Sequence, residues 1–224
     1  MRKVDPIWCG IALLALSLTF ALPSPSQAGE RYYLIIFGAQ SHPKLPRNTH
    51  TFATFVKVGD CAPGATPPVL HAYTISWLPQ TLKVRPFRCH DEPGVNLTLE
   101  QTLAWACENN LRVSEWGPYE IEGEFYENVY NEYLKMQSGQ YRYKAIDPRS
   151  RGSRTTDCIH AVSDMDPLHG RDEYFLIRTG DSASRHLVVV LFDRERVLAD
   201  PGNLSWIDAA VGLNNYPIVH RPDP

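Results

Sequence analysis

Cysteine is scarce in this sequence. There are five in 224 residues, too few to build the molecule on disulfides. An excess of charge of one sign is also missing. Lys and Arg total 22 against 25 Asp and Glu, a formal net charge of -3 with a pI near 6.2, so there is no electrostatic footprint for nucleic acid or an anionic membrane surface. Past residue 28 no apolar stretch approaches the roughly 20 residues of a membrane-spanning helix. The eight histidines are scattered, and no HxxxH or CxxC spacing offers a metal-ligand set, so neither metal nor cofactor is implied. Internal repeats and low-complexity segments are absent.

What remains is an ordinary globular balance of 43% hydrophobic, 21% charged and 11% aromatic residues, which argues against disorder and fibrous structure. Eighteen prolines and 14 glycines imply many loops and short elements. The first 28 residues form a distinct unit. Arg2 and Lys3 precede an apolar run from Ile7 to Leu22, and Ser26-Gln27-Ala28 fits a small-x-small cleavage site. This pattern predicts a secretory signal peptide over 1–28 and a single globular domain over 29–224, secreted or periplasmic and with no integral membrane segment after cleavage. Export makes disulfides possible. Cys9 leaves with the leader, and Cys61, Cys89, Cys107 and Cys158 allow three full pairings. Cys61 and Cys89 both lie in Pro/Gly-containing loops and are the favoured pair, whereas Cys107 falls on the apolar face of a helix as a small buried hydrophobe.

Along the mature chain, Arg31–Ala39, His50–Val58 and Val69–Leu78 read as strands. The ten-residue loop between the last two favours an antiparallel pair. Thr98 and Gln101 match a capping box ahead of a helix striped with Leu99, Leu103, Ala106 and Cys107. Leu111–Trp116 reads as a short strand and Glu122–Met136 as an amphipathic helix ended by Ser138-Gly139. Lys144–Arg154 is basic and irregular. Thr155, Thr156 or Asp157 caps a short helix beginning near Cys158. The tail holds a β-rich run at Leu187–Phe192, which over Arg185–Phe192 reads equally as a helix capped by Ser182 or Ser184, then a turn at Asp200-Pro201-Gly202 and a helix over Ser205–Val211. These elements predict an α+β fold with a small antiparallel sheet packed against helices. Asn96-Leu97-Thr98 and Asn203-Leu204-Ser205 match the N-glycosylation acceptor pattern.

Cys158 draws attention because a cysteine at a helix start tends toward the thiolate. A nucleophilic cysteine needs a histidine base and a group to orient it. His50 opens one predicted strand and His71 stands near the start of the next. His160, two positions beyond Cys158, falls on another helix face.

Three segments carry a family resemblance: His50-Thr51-Phe52-Ala53-Thr54-Phe55-Val56, Val69-Leu70-His71-Ala72 and Asp157-Cys158-Ile159-His160-Ala161-Val162. Their order resembles the circularly permuted papain-like cysteine hydrolases, which include lecithin–retinol acyltransferase and the permuted counterparts of NlpC-type cell-wall peptidases. The third segment is similar to the acyltransferase pattern Asn-Cys-x-His-Phe-Val, with Asp157 in place of Asn, and Ser138-Gly139-Gln140-Tyr141 matches the stretch that precedes it. The resemblance spans about residues 31–162 and leaves an unassigned extension from about 163. It implies Cys158 as nucleophile, His50 as base and His71 as orienting residue, acting on a peptide amide or acyl ester, cell-wall peptides included.

Two other readings compete. Cys158, His186 and Asp200 stand in the order of an unpermuted transglutaminase- or papain-like enzyme. Alternatively, the chain is a non-catalytic secreted domain held by disulfides that uses Trp77, Trp105, Trp116 and Trp206 for packing or partner binding.

Overall fold

The computed structural model describes residues 29–61, 64–146, 154–165, 179–198 and 204–223. The leader at 1–28, most of the basic stretch, and Asp200 with its turn lie outside the described residues. Strands β1 (Arg31–Gln40) and β2 (Thr49–Val58) pair antiparallel in unbroken register, from Arg31 opposite Val58 to Gln40 opposite Thr49. Neither strand alternates between apolar and polar residues. Almost every position is buried, as expected where both faces of a strand are covered.

β3 (Val69–Ile75) and β6 (Arg112–Ile121) flank this pair, and β9 (Ile218–His220) joins the far edge, giving the order β3-β2-β1-β6-β9. All neighbours are antiparallel except β6 and β9, which are parallel. A second sheet orders β4 (Trp77–Pro79), β5 (Glu92–Asn96), β7 (Arg142–Tyr143) and β8 (Thr155–Thr156). The helices are α1 (Leu99–Glu108), α2 (Gly123–Gln137), α3 (Cys158–Ser163), α4 (Asp181–Asp193) and α5 (Ser205–Ala210). The α+β class therefore holds, with two sheets rather than one and helices on both faces of the larger.

Strand alternation sorts side chains into two cores. On one face, Leu34, Ile36, Ala53 and Phe55 meet α2, α3 and α4 through Phe125, Val129, Ile159, Val162, Leu187 and Val188. On the other, Tyr33, Ile35, Phe37, Phe52 and Val56 meet Leu103 and Trp105 of α1 and Ile207 of α5. Each such side chain contributes about 1.5–3 kcal/mol on burial. A one-residue slip of β2 would exchange its two sets and place His50 where Thr51 now stands, so the packing fixes the register.

Several boundaries differ from the sequence reading. The strand predicted over Val69–Leu78 breaks at Ser76. There Asn96 Oδ1 accepts the Ser76 N–H, and the Asn96 amide donates to the Thr74 carbonyl, turning the chain into the second sheet. β6 runs on past Trp116 to Ile121 by absorbing Gly117-Pro118 in a register shift against Leu34–Ile36. The run at Leu187–Phe192, open to strand or helix in the sequence, belongs to a helix. Its buried residues Ala183, Ser184, Leu187 and Val188 recur at helical spacing, and docking on β1 overrides the β-propensity of its valines. Ser184 Oγ donates to the Phe37 carbonyl at 2.7 Å and lies 3.2 Å from Thr51 Oγ1. α4 approaches β1 so closely that a Cβ on Gly38 would lie 2.9 Å from the Asp181 Cα. The Thr98–Gln101 capping box forms in both directions.

The cysteines also depart from expectation. None of Cys61, Cys89, Cys107 and Cys158 forms a disulfide; the first three are exposed and Cys158 is buried. The favoured Cys61–Cys89 disulfide does not form, and Cys107 sits on the outer side of α1. Among the described residues no helix is long and apolar enough to cross a membrane.

Candidate active site

α3 begins at Cys158 because Asp157 stops the preceding extended chain and caps the helix. Asp157 Oδ1 accepts the N–H groups of Ile159 and His160, both at 2.8 Å. Its other oxygen, Oδ2, lies 3.0 Å from His160 Nδ1. One carboxylate thus starts the helix and fixes the imidazole one turn on. The three-residue spacing of Asp157 and His160 is the sequence signal for this contact, since positions three apart on a helix are neighbours.

Cys158, only 9% exposed, lines a pocket of about 240 Å³ with Asp157, His160 and Thr49. Tyr143 and Phe87 supply apolar walls. Phe87 is 93% exposed, an aromatic ring held in solvent at the pocket edge. A wider cleft adjoins through Pro46, Val84, Pro86 and Phe87 and is flanked by Arg47, Arg85 and Arg88. The chemistry available at the pocket is a thiol, an imidazole and a carboxylate that orients it, beside an apolar wall.

The structure does not bring the other predicted site residues to this pocket. His50 is fully buried on the opposite face of the sheet. Its ring stacks on Phe52 and meets the edge of Trp105, and both of those residues belong to the α1-facing core. His50 Nε2 lies 2.8 Å from Ser76 Oγ, and Ser76 Oγ accepts from Thr102 Oγ1. Burial pushes the His50 imidazole down to about 3, far below the range suited to a general base near neutrality. The physical reason is parity. Even-numbered positions of β2 face α1, whereas Thr51, Ala53 and Phe55 face the helices that include α3.

His71 lies on the Cys158 face but near the other end of the sheet, opposite Lys57 of β2. Its Nδ1 is 2.7 Å from Tyr126 Oη, and its ring packs among Tyr73, Tyr126 and Tyr130. His186 is a half-buried residue of α4 and does not line the pocket. Its proposed partner Asp200 lies outside the described residues.

A second polar cluster was invisible in the sequence. Glu115 of β6, Asp208 of α5 and His220 of β9 converge from distant positions, so no short spacing announces them. Burial, followed by the neighbouring Asp208 charge, pushes the Glu115 carboxyl up to about 8, and burial raises Asp208 as well.

No protein-family model, curated protein or solved structure matches the chain.

Proposed function

We propose that the protein is an exported cysteine hydrolase or acyltransferase that cleaves an amide or ester through a thioester on Cys158. The observation that carries this reading is the shared pocket of Cys158 and His160, with His160 held by Asp157. The resemblance of the Asp-Cys-x-His segment to permuted papain-like enzymes supports the same class of chemistry. The base differs from the one that resemblance implies: His160 takes the role expected of His50, and Asp157 the orienting role expected of His71.

In the proposed reaction the Cys158 Sγ attacks the carbonyl carbon and forms a C–S bond. The thiol proton passes to His160 Nε2, directly or through one water. Asp157 at Nδ1 holds the tautomer that leaves Nε2 as acceptor and stabilises the imidazolium. The tetrahedral intermediate collapses, the amine or alkoxide departs with the proton from His160, and a water or a second nucleophile then releases the acyl group from sulfur. The apolar walls at Tyr143 and Phe87 favour a substrate with an apolar acyl or side-chain group next to the scissile carbonyl, as in a lipid acyl ester or a peptide with apolar residues.

The test uses the Cys61→Ser/Cys89→Ser/Cys107→Ser variant, which removes the exposed thiols. Incubation with 4-nitrophenyl acetate and butyrate should release nitrophenol and leave a transient acyl group on Cys158 in peptide mass mapping. Cys158→Ala should abolish both signals. Nitrophenol release that survives Cys158→Ala refutes the proposal.

A further inference from the structure

On the sheet face opposite Cys158, the β6–β9 pairing sets Glu115 directly beside His220. Parallel neighbours on one face of a sheet project together, and α5 lays Asp208 over them. One ligating atom from each of the three lies within 4.8 Å of the others. The Glu115 side chain is 0% exposed. Neither of its carboxylate oxygens has a hydrogen-bond partner among the described residues, and the same is true of Asp208 Oδ1. Among the described residues no Lys or Arg pairs with either acid. Two carboxyl groups buried side by side are costly to ionise together without a cation, because burial removes hydration and each charge would repel the other. His220 Nδ1 lies 3.6 Å from Glu115 Oε2, too far for a hydrogen bond, on a side chain that is 65% exposed and able to swing inward.

We propose that Glu115, Asp208 and His220 bind one divalent transition-metal ion, Zn²⁺ being the best match, with a coordination position open to the neighbouring pocket. Two carboxylate oxygens and one imidazole nitrogen form a ligand set of the kind that Zn²⁺ accepts, and the two carboxyls, ionised when they ligate, balance the charge of the ion. With metal–ligand bonds of about 2.0–2.2 Å, donors stand at most about 4.4 Å apart, so a small inward motion of the exposed imidazole completes the set. The adjoining pocket has a volume of about 660 Å³ and is lined by Asp208, His220, Ser205, Asn214 and Asp223, which gives the ion access to solvent and small ligands. Asp223 is already engaged, accepting from Tyr119 Oη at 2.6 Å. The inference does not depend on the Cys158 reading, since the two sites lie on opposite sides of the sheet.

The experiment is titration of chelator-treated full-length protein with Zn²⁺ by calorimetry, and with Co²⁺ by visible absorption. We expect one ion per chain, a rise in thermal midpoint with Zn²⁺, and a Co²⁺ spectrum without thiolate charge transfer, which distinguishes this site from the exposed cysteines. His220→Ala removes an exposed side chain and should leave the metal-free midpoint unchanged while weakening Zn²⁺ at least tenfold. Asp208→Asn should weaken it similarly. Three outcomes would each overturn the proposal: no stoichiometric binding, a thiolate-type Co²⁺ spectrum, or unchanged affinity in His220→Ala and Asp208→Asn.

Discussion

Lowering the pH should destabilise this protein through His50 by an amount that its burial sets. The imidazole is fully enclosed between Phe52, Trp105 and Ser76, and its folded-state value is held to about 3 against an ordinary 6.5. Between those values the unfolded chain binds a proton that the native state refuses, so stability rises with pH. The contribution is fully present above 6.5 and is lost progressively as pH falls toward 3. At pH 5 the loss amounts to about 2 kcal/mol. The assay is urea unfolding followed by tryptophan fluorescence at pH 7 and pH 5, for the native sequence and for His50→Gln. Glutamine can still bond Ser76 Oγ but does not titrate. The native protein should lose about 2 kcal/mol more than the variant between the two pH values. Equal losses would show that His50 is protonated as easily in the folded state as in the unfolded one. The placement of His50 in the closed α1-facing core would then be wrong, and a catalytic role for His50 would return.

Three further outcomes follow from the geometry. Asp157→Asn keeps a good helix cap but removes the carboxylate from His160 Nδ1, so the thermal midpoint should barely move while Cys158-dependent ester hydrolysis falls on the order of 10²-fold, read by nitrophenol release. Leu187→Ala empties a buried site between α4 and β1 and should cost about 2–5 kcal/mol in urea unfolding, whereas a strand at the surface would lose far less. Thr98→Ala breaks the capping box of α1 and should cost about 1 kcal/mol by the same assay.

Local signals carried well into the fold. The Thr98–Gln101 box, the amphipathic stripe of α2 and the Asp157 cap before Cys158 each follow from residues a few positions apart, and all three form. Non-local facts did not carry over. The runs of β1 and β2 are apolar on both sides, so the sequence could not say which face His50 takes. That choice is made by Phe52 and Trp105 on one side and by α3 and α4 on the other. The valines of α4 left strand and helix equally open because propensity is local, while the contact of Leu187 and Val188 with the sheet, which decides for the helix, is not. The short strand read over Leu111–Trp116 runs on through Gly117-Pro118 to Ile121, an extension that pairing with β1 decides. At the candidate site, Cys158 was legible from its helix start. The sequence shows Asp157 as a cap, and its second contact, with His160 Nδ1, depends on the side-chain conformations. The Glu115–Asp208–His220 cluster joins Glu115 to two residues more than ninety positions further along the chain, beyond the reach of any spacing rule.

The central claim is that Cys158 is a nucleophile served by His160. The most direct measurement is the pH dependence of Cys158 alkylation by iodoacetamide in the native state, resolved by peptide mass mapping in the Cys61→Ser/Cys89→Ser/Cys107→Ser background, with and without His160→Gln. The account predicts alkylation well below the ordinary thiol range near about 8.5, and a shift of that profile toward higher pH, with slower reaction at neutrality, in His160→Gln. A Cys158 that resists alkylation until the protein unfolds, or a profile that His160→Gln leaves unchanged, would contradict it.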